Sequence, residues 1–126
     1  MAGGGIPDRV ARFVDEHIHS VEQLEVLLLL RHEPEREWTV PDVALEVPTS
    51  PKSAADRLDD LARRGFLVRD GETYRYDGSD RGRDATVGEL EDVYARRRVS
   101  VIGLIFSKPS ETIRTFADAF RIRRED

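Results

Sequence analysis

Residues 50–76 read Ser50-Pro51-Lys52-Ser53-Ala54-Ala55-Asp56-Arg57-Leu58-Asp59-Asp60-Leu61-Ala62-Arg63-Arg64-Gly65-Phe66-Leu67-Val68-Arg69-Asp70-Gly71-Glu72-Thr73-Tyr74-Arg75-Tyr76. Three signals stand in a row. Ser50 followed by Pro51 is an N-cap and first-turn pair, because a serine oxygen satisfies a free helix N–H and proline needs none of its own. The helix so opened runs to about Arg64, and Gly65 stands where a left-handed C-terminal cap is required. Beyond it, residues 66–69 and 73–76 are two β-prone runs separated by Asp70-Gly71-Glu72, and Asp-Gly between such runs is a hairpin signal. Leucine and alanine spacing puts Ala54, Ala55, Leu58, Leu61 and Ala62 on the inward face of the helix. Ser53, Asp56, Arg57, Asp60 and Arg64 are then expected outward.

Upstream, Thr39 with Pro41 and Asp42 forms an N-cap with an acid in the first turn, where the helix dipole favours negative charge. A short helix over 40–46 follows, then the tight turn Pro48-Thr49-Ser50-Pro51. Trp38 fits a very short strand, and residues 33–37, charged and broken by Pro34, fit a loop. Ser20 and Gln23 have the spacing of a capping box, and Val21, Leu24, Leu27 and Leu28 mark a helix face running to about His32. Val26, Leu29 and Leu30 widen that band, so this helix is expected at the centre of the core. Before it, Pro7 opens an amphipathic helix carrying Ile6, Val10, Phe13, Val14 and Ile18.

Downstream, the Gly- and charge-rich stretch before Thr86 reads as a linker. Thr86 can cap a helix of about 33 Å that continues to Ser107. Pro109 ends it, and Ser110, Ile113, Phe116, Ala117 and Phe120 have the spacing of a last amphipathic helix before the charged tail. The expected organisation is a single domain over 1–126. Residues 20–77 form its core, 78–85 a linker and 86–126 a C-terminal helical element.

This order of elements resembles a winged helix-turn-helix: mostly α, with a small β-hairpin as the wing. The resemblance is carried by Thr39-Val40-Pro41-Asp42-Val43-Ala44, by Ser50-Pro51, by Leu58-Asp59-Asp60-Leu61, and by Arg64-Gly65-Phe66-Leu67-Val68-Arg69. With helices flanking the motif on both sides, the chain is similar to MarR-like bacterial transcriptional regulators, whose terminal helices build a dimer. The resemblance implies that residues 51–64 lie in the major groove of double-stranded DNA, with the wing on phosphates or in the minor groove. Ser50, Lys52, Ser53, Arg57, Arg64, Arg69 and Arg75 are the DNA contacts this implies, with Arg57 foremost for bidentate reading of guanine.

Charge runs against an easy DNA reader. The chain holds 20 Lys and Arg against 25 Asp and Glu, a net charge of −5, so no global positive field gathers nucleic acid. Within 50–65, Lys52, Arg57, Arg63 and Arg64 face Asp56, Asp59 and Asp60. Over 66–77, Arg69 and Arg75 face Asp70, Glu72 and Asp77. DNA affinity comes largely from cations on phosphates, so Asp56 and Asp60 should weaken a complex. A winged-helix adaptor that docks a protein partner is the alternative.

Val99, Val101, Ile102, Leu104, Ile105 and Phe106 surround much of the helix that bears them, which calls for cover. A second copy of the chain is expected to supply it, with Val101, Ile102, Leu104, Ile105, Phe106, Phe116 and Phe120 at the interface. The other possibility is that the N-terminal helix, through Phe13 and Val14, folds back over the band. Arg96-Arg97-Arg98 point about 100° apart on a helix and read as ion-pairing residues rather than a phosphate patch.

Other chemistry finds no footing. The chain has no cysteine, which removes disulfides and thiolate nucleophiles. His17 and His19 diverge on a helix and His32 lies in another element, so no metal set is expected. There is neither a phosphate-binding loop nor a nucleophile elbow, so neither enzymatic activity nor a cofactor is expected. Trp38, Tyr74 and Tyr76 are read as packing residues rather than a ligand stack. Met1 to Gly5 lacks the basic and apolar regions of a secretory signal, no apolar run is long enough to span a membrane, and cytoplasmic residence is the expectation.

Overall fold

Ser20 Oγ accepts the Gln23 N–H, and the helix it caps, α2 (Val21–His32), buries Leu24, Val26, Leu27 and Leu30. The computed structural model describes residues 5–107 and sets this helix between the others. Before it lies α1 (Asp8–His17). After it come α3 (Val40–Glu46), α4 (Pro51–Arg63), strands β1 (Leu67–Asp70) and β2 (Thr73–Tyr76), α5 (Arg81–Arg96) and α6 (Arg98–Phe106). The chain therefore has a mostly helical fold with an antiparallel β-hairpin. Among the described residues, no helix is long and apolar enough to cross a membrane.

The helix-turn-helix follows its caps. Thr39 and Asp42 form a reciprocal capping box at the start of α3, the Thr39 hydroxyl accepting from the Asp42 N–H and the Asp42 carboxylate accepting from the Thr39 N–H. Ser50 Oγ accepts the Ser53 N–H at the start of α4, with Pro51 in the first turn. Gly65 closes α4 at φ +88°, a conformation an L side chain rarely adopts. Ala54, Leu58 and Leu61 seat α4 on the core, while Ala55 and Ala62 stay half-exposed.

In the hairpin, Leu67 pairs with Tyr76 and Asp70 with Thr73, and Gly71 takes the positive φ that the two-residue loop needs. Trp38 and Tyr74 exchange both backbone hydrogen bonds at 2.8 Å, which adds the short third strand expected at Trp38. Trp38, Tyr74 and Tyr76 are all buried.

The structure corrects the sequence expectation in two places. Residues 81–85, expected within the 78–85 linker, are helical. Asp80, not Thr86, caps α5, its carboxylate accepting the Arg83 N–H at 3.0 Å, while the Thr86 hydroxyl donates back to the Gly82 carbonyl inside the helix. The single helix expected from Thr86 to Ser107 is instead two, because the backbone leaves the helical region at Arg97 (φ −133°, ψ 50°). Beyond that break α6 packs on α1 and buries Val101 and Ile105. The helix expected after Pro109 lies outside the described residues.

Candidate nucleic-acid interface

α3, the turn at 47–50 and α4 project α4 at the surface just ahead of the β1–β2 hairpin, and the side chains of α4 fall into three groups. The first, Ala54, Leu58 and Leu61, is core. The second faces α2. Glu22 accepts from the Ser53 hydroxyl and from Arg57 Nε at 3.0 Å, and the neighbouring Gln23 donates to Asp60 at 3.0 Å. Asp60 in turn receives Arg64 Nε at 3.0 Å and Arg63 Nη2 at 3.1 Å. Burial pushes the Glu22 carboxyl up, but hydrogen bonds from Ser53, Thr49 and Arg57 outweigh it and hold its pKa below the ordinary value. Glu22 is thus ionised and fixed, and it holds the guanidinium of Arg57 against the body of the protein.

The third group is the outer stripe, Lys52, Asp56 and Arg63. Lys52 Nζ lies 3.3 Å from Asp56 Oδ2, with the two side chains 86% and 57% exposed. On the hairpin side, Asp59 accepts from Arg69 Nη1 at 2.9 Å and from the Tyr74 hydroxyl at 2.6 Å. Burial together with that carboxylate raises the Tyr74 pKa to about 12, so the phenol remains a donor at neutral pH.

The residues expected at DNA are therefore divided. Lys52 is exposed on the outer stripe. Arg57, Arg64 and Ser53 turn toward α2 and are half-buried. Ser50 spends its hydroxyl on the helix cap. Arg69 is held by Asp59 and by the Gly71 carbonyl. Arg75 is exposed on β2 and, among the described residues, has no carboxylate within 4 Å.

Beneath the hairpin sits a polar cluster that the sequence does not single out. The Tyr76 hydroxyl donates to Asp84 Oδ1 at 2.5 Å, Arg31 Nε donates to the same oxygen at 3.1 Å, and Arg31 Nη1 reaches Glu91 at 2.8 Å. It joins β2, α2 and α5. The Tyr76 hydrogen bond lowers the Asp84 pKa, with burial opposing and Arg31 assisting. Gly88 leaves room for the guanidinium, since a Cβ there would stand 2.7 Å from Arg31 Nη2.

The C-terminal apolar residues are likewise divided. Val101 and Ile105 are buried within the chain, and Ile102 and Leu104 pack partly against the core. Phe106 is 77% exposed and Val99 83%. Phe116 and Phe120 lie outside the described residues. Of the arginine triplet, Arg96 pairs with Asp92 at 2.8 Å and Arg98 with Glu25 at 3.1 Å, as ion-pairing residues would. His17, considered as a ligand, packs its ring between Phe13 and Phe66.

Comparison with solved structures places this architecture. A MarR family transcriptional regulator from Streptomyces coelicolor superposes with a TM-score of 0.54 at 20% identity, covering 91% of this chain and 79% of that one. The fold is a MarR-like winged helix. A MarR family protein from Bacillus stearothermophilus aligns with a TM-score of 0.46 at 20% identity over 93% of this chain and 81% of its own. No protein-family model and no curated protein matches the chain in sequence. In the terms of this fold, α3 and α4 are the helix-turn-helix and the hairpin is the wing.

Glu22 and Gln23 are the site residues that sequence reasoning missed. The available signal was indirect: a capped first turn of a central helix carries polar residues that must meet another element, but the spacing does not say which.

Proposed function

We propose that this winged-helix chain is a DNA-binding transcriptional regulator that works as a homodimer without catalysis. The observation that carries the reading is the outer stripe of α4, a helix seated on the core by one face, free on the other and placed directly ahead of the hairpin. Helices so mounted enter the major groove, and a two-fold pair of them reads half-sites about one DNA turn apart. Lys52 and Arg75 are the contacts best placed for DNA. Arg57 and Arg64 serve by shaping α4, and Ser50, Ser53 and Arg69 lie at its margins. For dimerisation, Phe106 and Val99 offer exposed apolar surface on α6, flanked by Ile102 and Leu104 and continued in sequence by Phe116 and Phe120.

The test is duplex retention against salt. Fluorescence anisotropy with genomic fragments should show affinity falling steeply with ionic strength, and Lys52→Ala should weaken binding several-fold. Affinity that is absent or indifferent to salt refutes the reading. Light scattering on the eluting protein should give twice the chain mass, and Phe106→Asp should shift it toward the monomer.

One observation favours the second reading, an adaptor for a protein partner. Every Lys and Arg of α4 and its cap, Lys52, Arg57, Arg63 and Arg64, lies within ion-pair distance of a carboxylate, which leaves little net charge for phosphates. The two readings part on Asp56→Lys. The charge reversal strengthens binding to DNA but disrupts a complementary protein surface.

A further inference from the structure

The outer stripe of α4 holds a carboxylate where a DNA reader would be expected to hold only donors. Asp56 is exposed, points away from the core and keeps Lys52 beside it at 3.3 Å. A carboxylate brought to a groove edge is repelled by the phosphates and by every acceptor there. In the major groove these are N7 and O6 of guanine, N7 of adenine and O4 of thymine. The donors are the N4 amine of cytosine and the N6 amine of adenine.

We propose that Lys52 and Asp56 together read one G·C base pair, Asp56 accepting from cytosine N4 and Lys52 donating to guanine O6 and N7. The assignment rests on the DNA-binding reading above and names the sequence class that this site selects. Its basis is geometric. In a G·C pair, cytosine N4 and guanine O6 are hydrogen-bonded to one another, so they stand about 2.9 Å apart. The Lys52–Asp56 couple presents a donor and an acceptor at 3.3 Å, and its polarity is opposite to theirs. Both contacts form without breaking the ion pair, and Lys52 offsets the cost of bringing a carboxylate into the groove.

The A·T pair also sets a donor, N6, beside an acceptor, O4, but its flanking groups are wrong. Adenine N7 would abut the Asp56 carboxylate, and the thymine methyl would abut the ammonium. In G·C the flanking N7 adds a second acceptor for Lys52, and cytosine places nothing repulsive beside N4. Arg57 does not compete for the role, since Glu22 holds it on the other side of the helix.

The experiment selects the full chain on a randomised duplex pool and sequences the bound fraction, for the wild type, Asp56→Ala and Asp56→Asn. Wild type is expected to enrich cytosine about tenfold at one position of each half-site, the scale of a single good edge contact. Asp56→Ala is expected to flatten that position to within about twofold while total retention holds or rises, because a charge that repels phosphate has gone. Asp56→Asn is expected to shift the same position toward adenine, whose N6 and N7 an amide reads together. The side chain is exposed and its one ion pair is at the surface, so both variants fold. Enrichment that Asp56→Ala leaves intact, or an Asp56→Asn pool unchanged from wild type, overturns the assignment alone. No salt-sensitive retention of any duplex by the wild type overturns the DNA reading and the assignment together.

Discussion

Two ion-pair clusters in this small protein use the same chemistry to opposite ends. Around Asp84, one carboxylate oxygen serves both the Tyr76 hydroxyl and Arg31, a second carboxylate, Glu91, satisfies the far side of the guanidinium, and three elements are bound together. On the outer stripe of α4, Lys52 and Asp56 meet each other, one turn apart on the same helix and open to water. The first cluster is multiply bonded and joins distant parts of the chain, and Asp84 is the acceptor that Tyr76 and Arg31 share. The second joins residues the helix already holds together, and it contributes little to the fold. Where ion pairs add little to folding, they remain available to be rearranged by a ligand.

The contrast orders the effects of mutation. Asp84→Ala should be the most damaging, leaving the buried Tyr76 hydroxyl and the half-buried Arg31 without their shared acceptor. A loss of about 2 kcal/mol is expected, allowing for the solvent that reaches Asp84. Thermal unfolding followed by circular dichroism measures it. A loss below about 0.5 kcal/mol would mean that the two clusters are energetically alike.

The same carboxylates give stability a pH dependence with a defined sign. Asp84 and Glu22 both have pKa values below their ordinary ones in the folded chain, so their contributions are present above the unfolded carboxylate range. They are lost as pH falls through about 4 and below. The gap in melting temperature between wild type and Asp84→Asn should accordingly be widest near neutral pH and shrink toward pH 3. A gap that is constant over that interval would place the effect in packing rather than charge.

Tyr76→Phe sits lower on the scale. It deletes one hydrogen bond but leaves Asp84 with Arg31, and the ring keeps its place against the core, so about 1 kcal/mol is expected.

How much of this was legible in the chain follows from the range of the forces involved. Ser50, Pro51, Gly65 and Gly71 act on their own backbone, and each fixes its cap or turn where the sequence puts it. The facing of α4 was less legible because alanines at 55 and 62 were counted as core, whereas an alanine carries too little apolar area to decide which way a helix turns. Leu58 and Leu61 with Ala54 rotate the centre of the buried face by roughly 35° from the expected phase, taken at 100° per residue. Arg57 is thereby carried from the expected DNA face to Glu22. The start of α5 shows the same limit, since Asp80 and Thr86 are both competent caps and the choice lies with Asp84, which must reach Arg31 and Tyr76 from the first turn. Glu22, Gln23 and Asp84 act across 31 to 53 residues of sequence, and no local pattern announces such partners.

Lys52→Ala should change stability least of all, by less than about 0.5 kcal/mol, since an exposed i,i+4 pair on a helix is worth only that. It is also the variant that separates stability from function most sharply. If Lys52 contacts DNA, the same change should weaken duplex binding several-fold while the melting temperature stays put. Arg57→Ala should do the reverse, lowering the melting temperature because the half-buried Glu22 loses its ion pair, with a smaller and indirect effect on DNA. Measuring both variants in both assays is decisive because the two orders are opposite. Should Arg57→Ala prove the stronger DNA mutant, the guanidinium must swing off Glu22 to reach the groove, and the α2-facing side of α4, not its outer stripe, would be the reading surface.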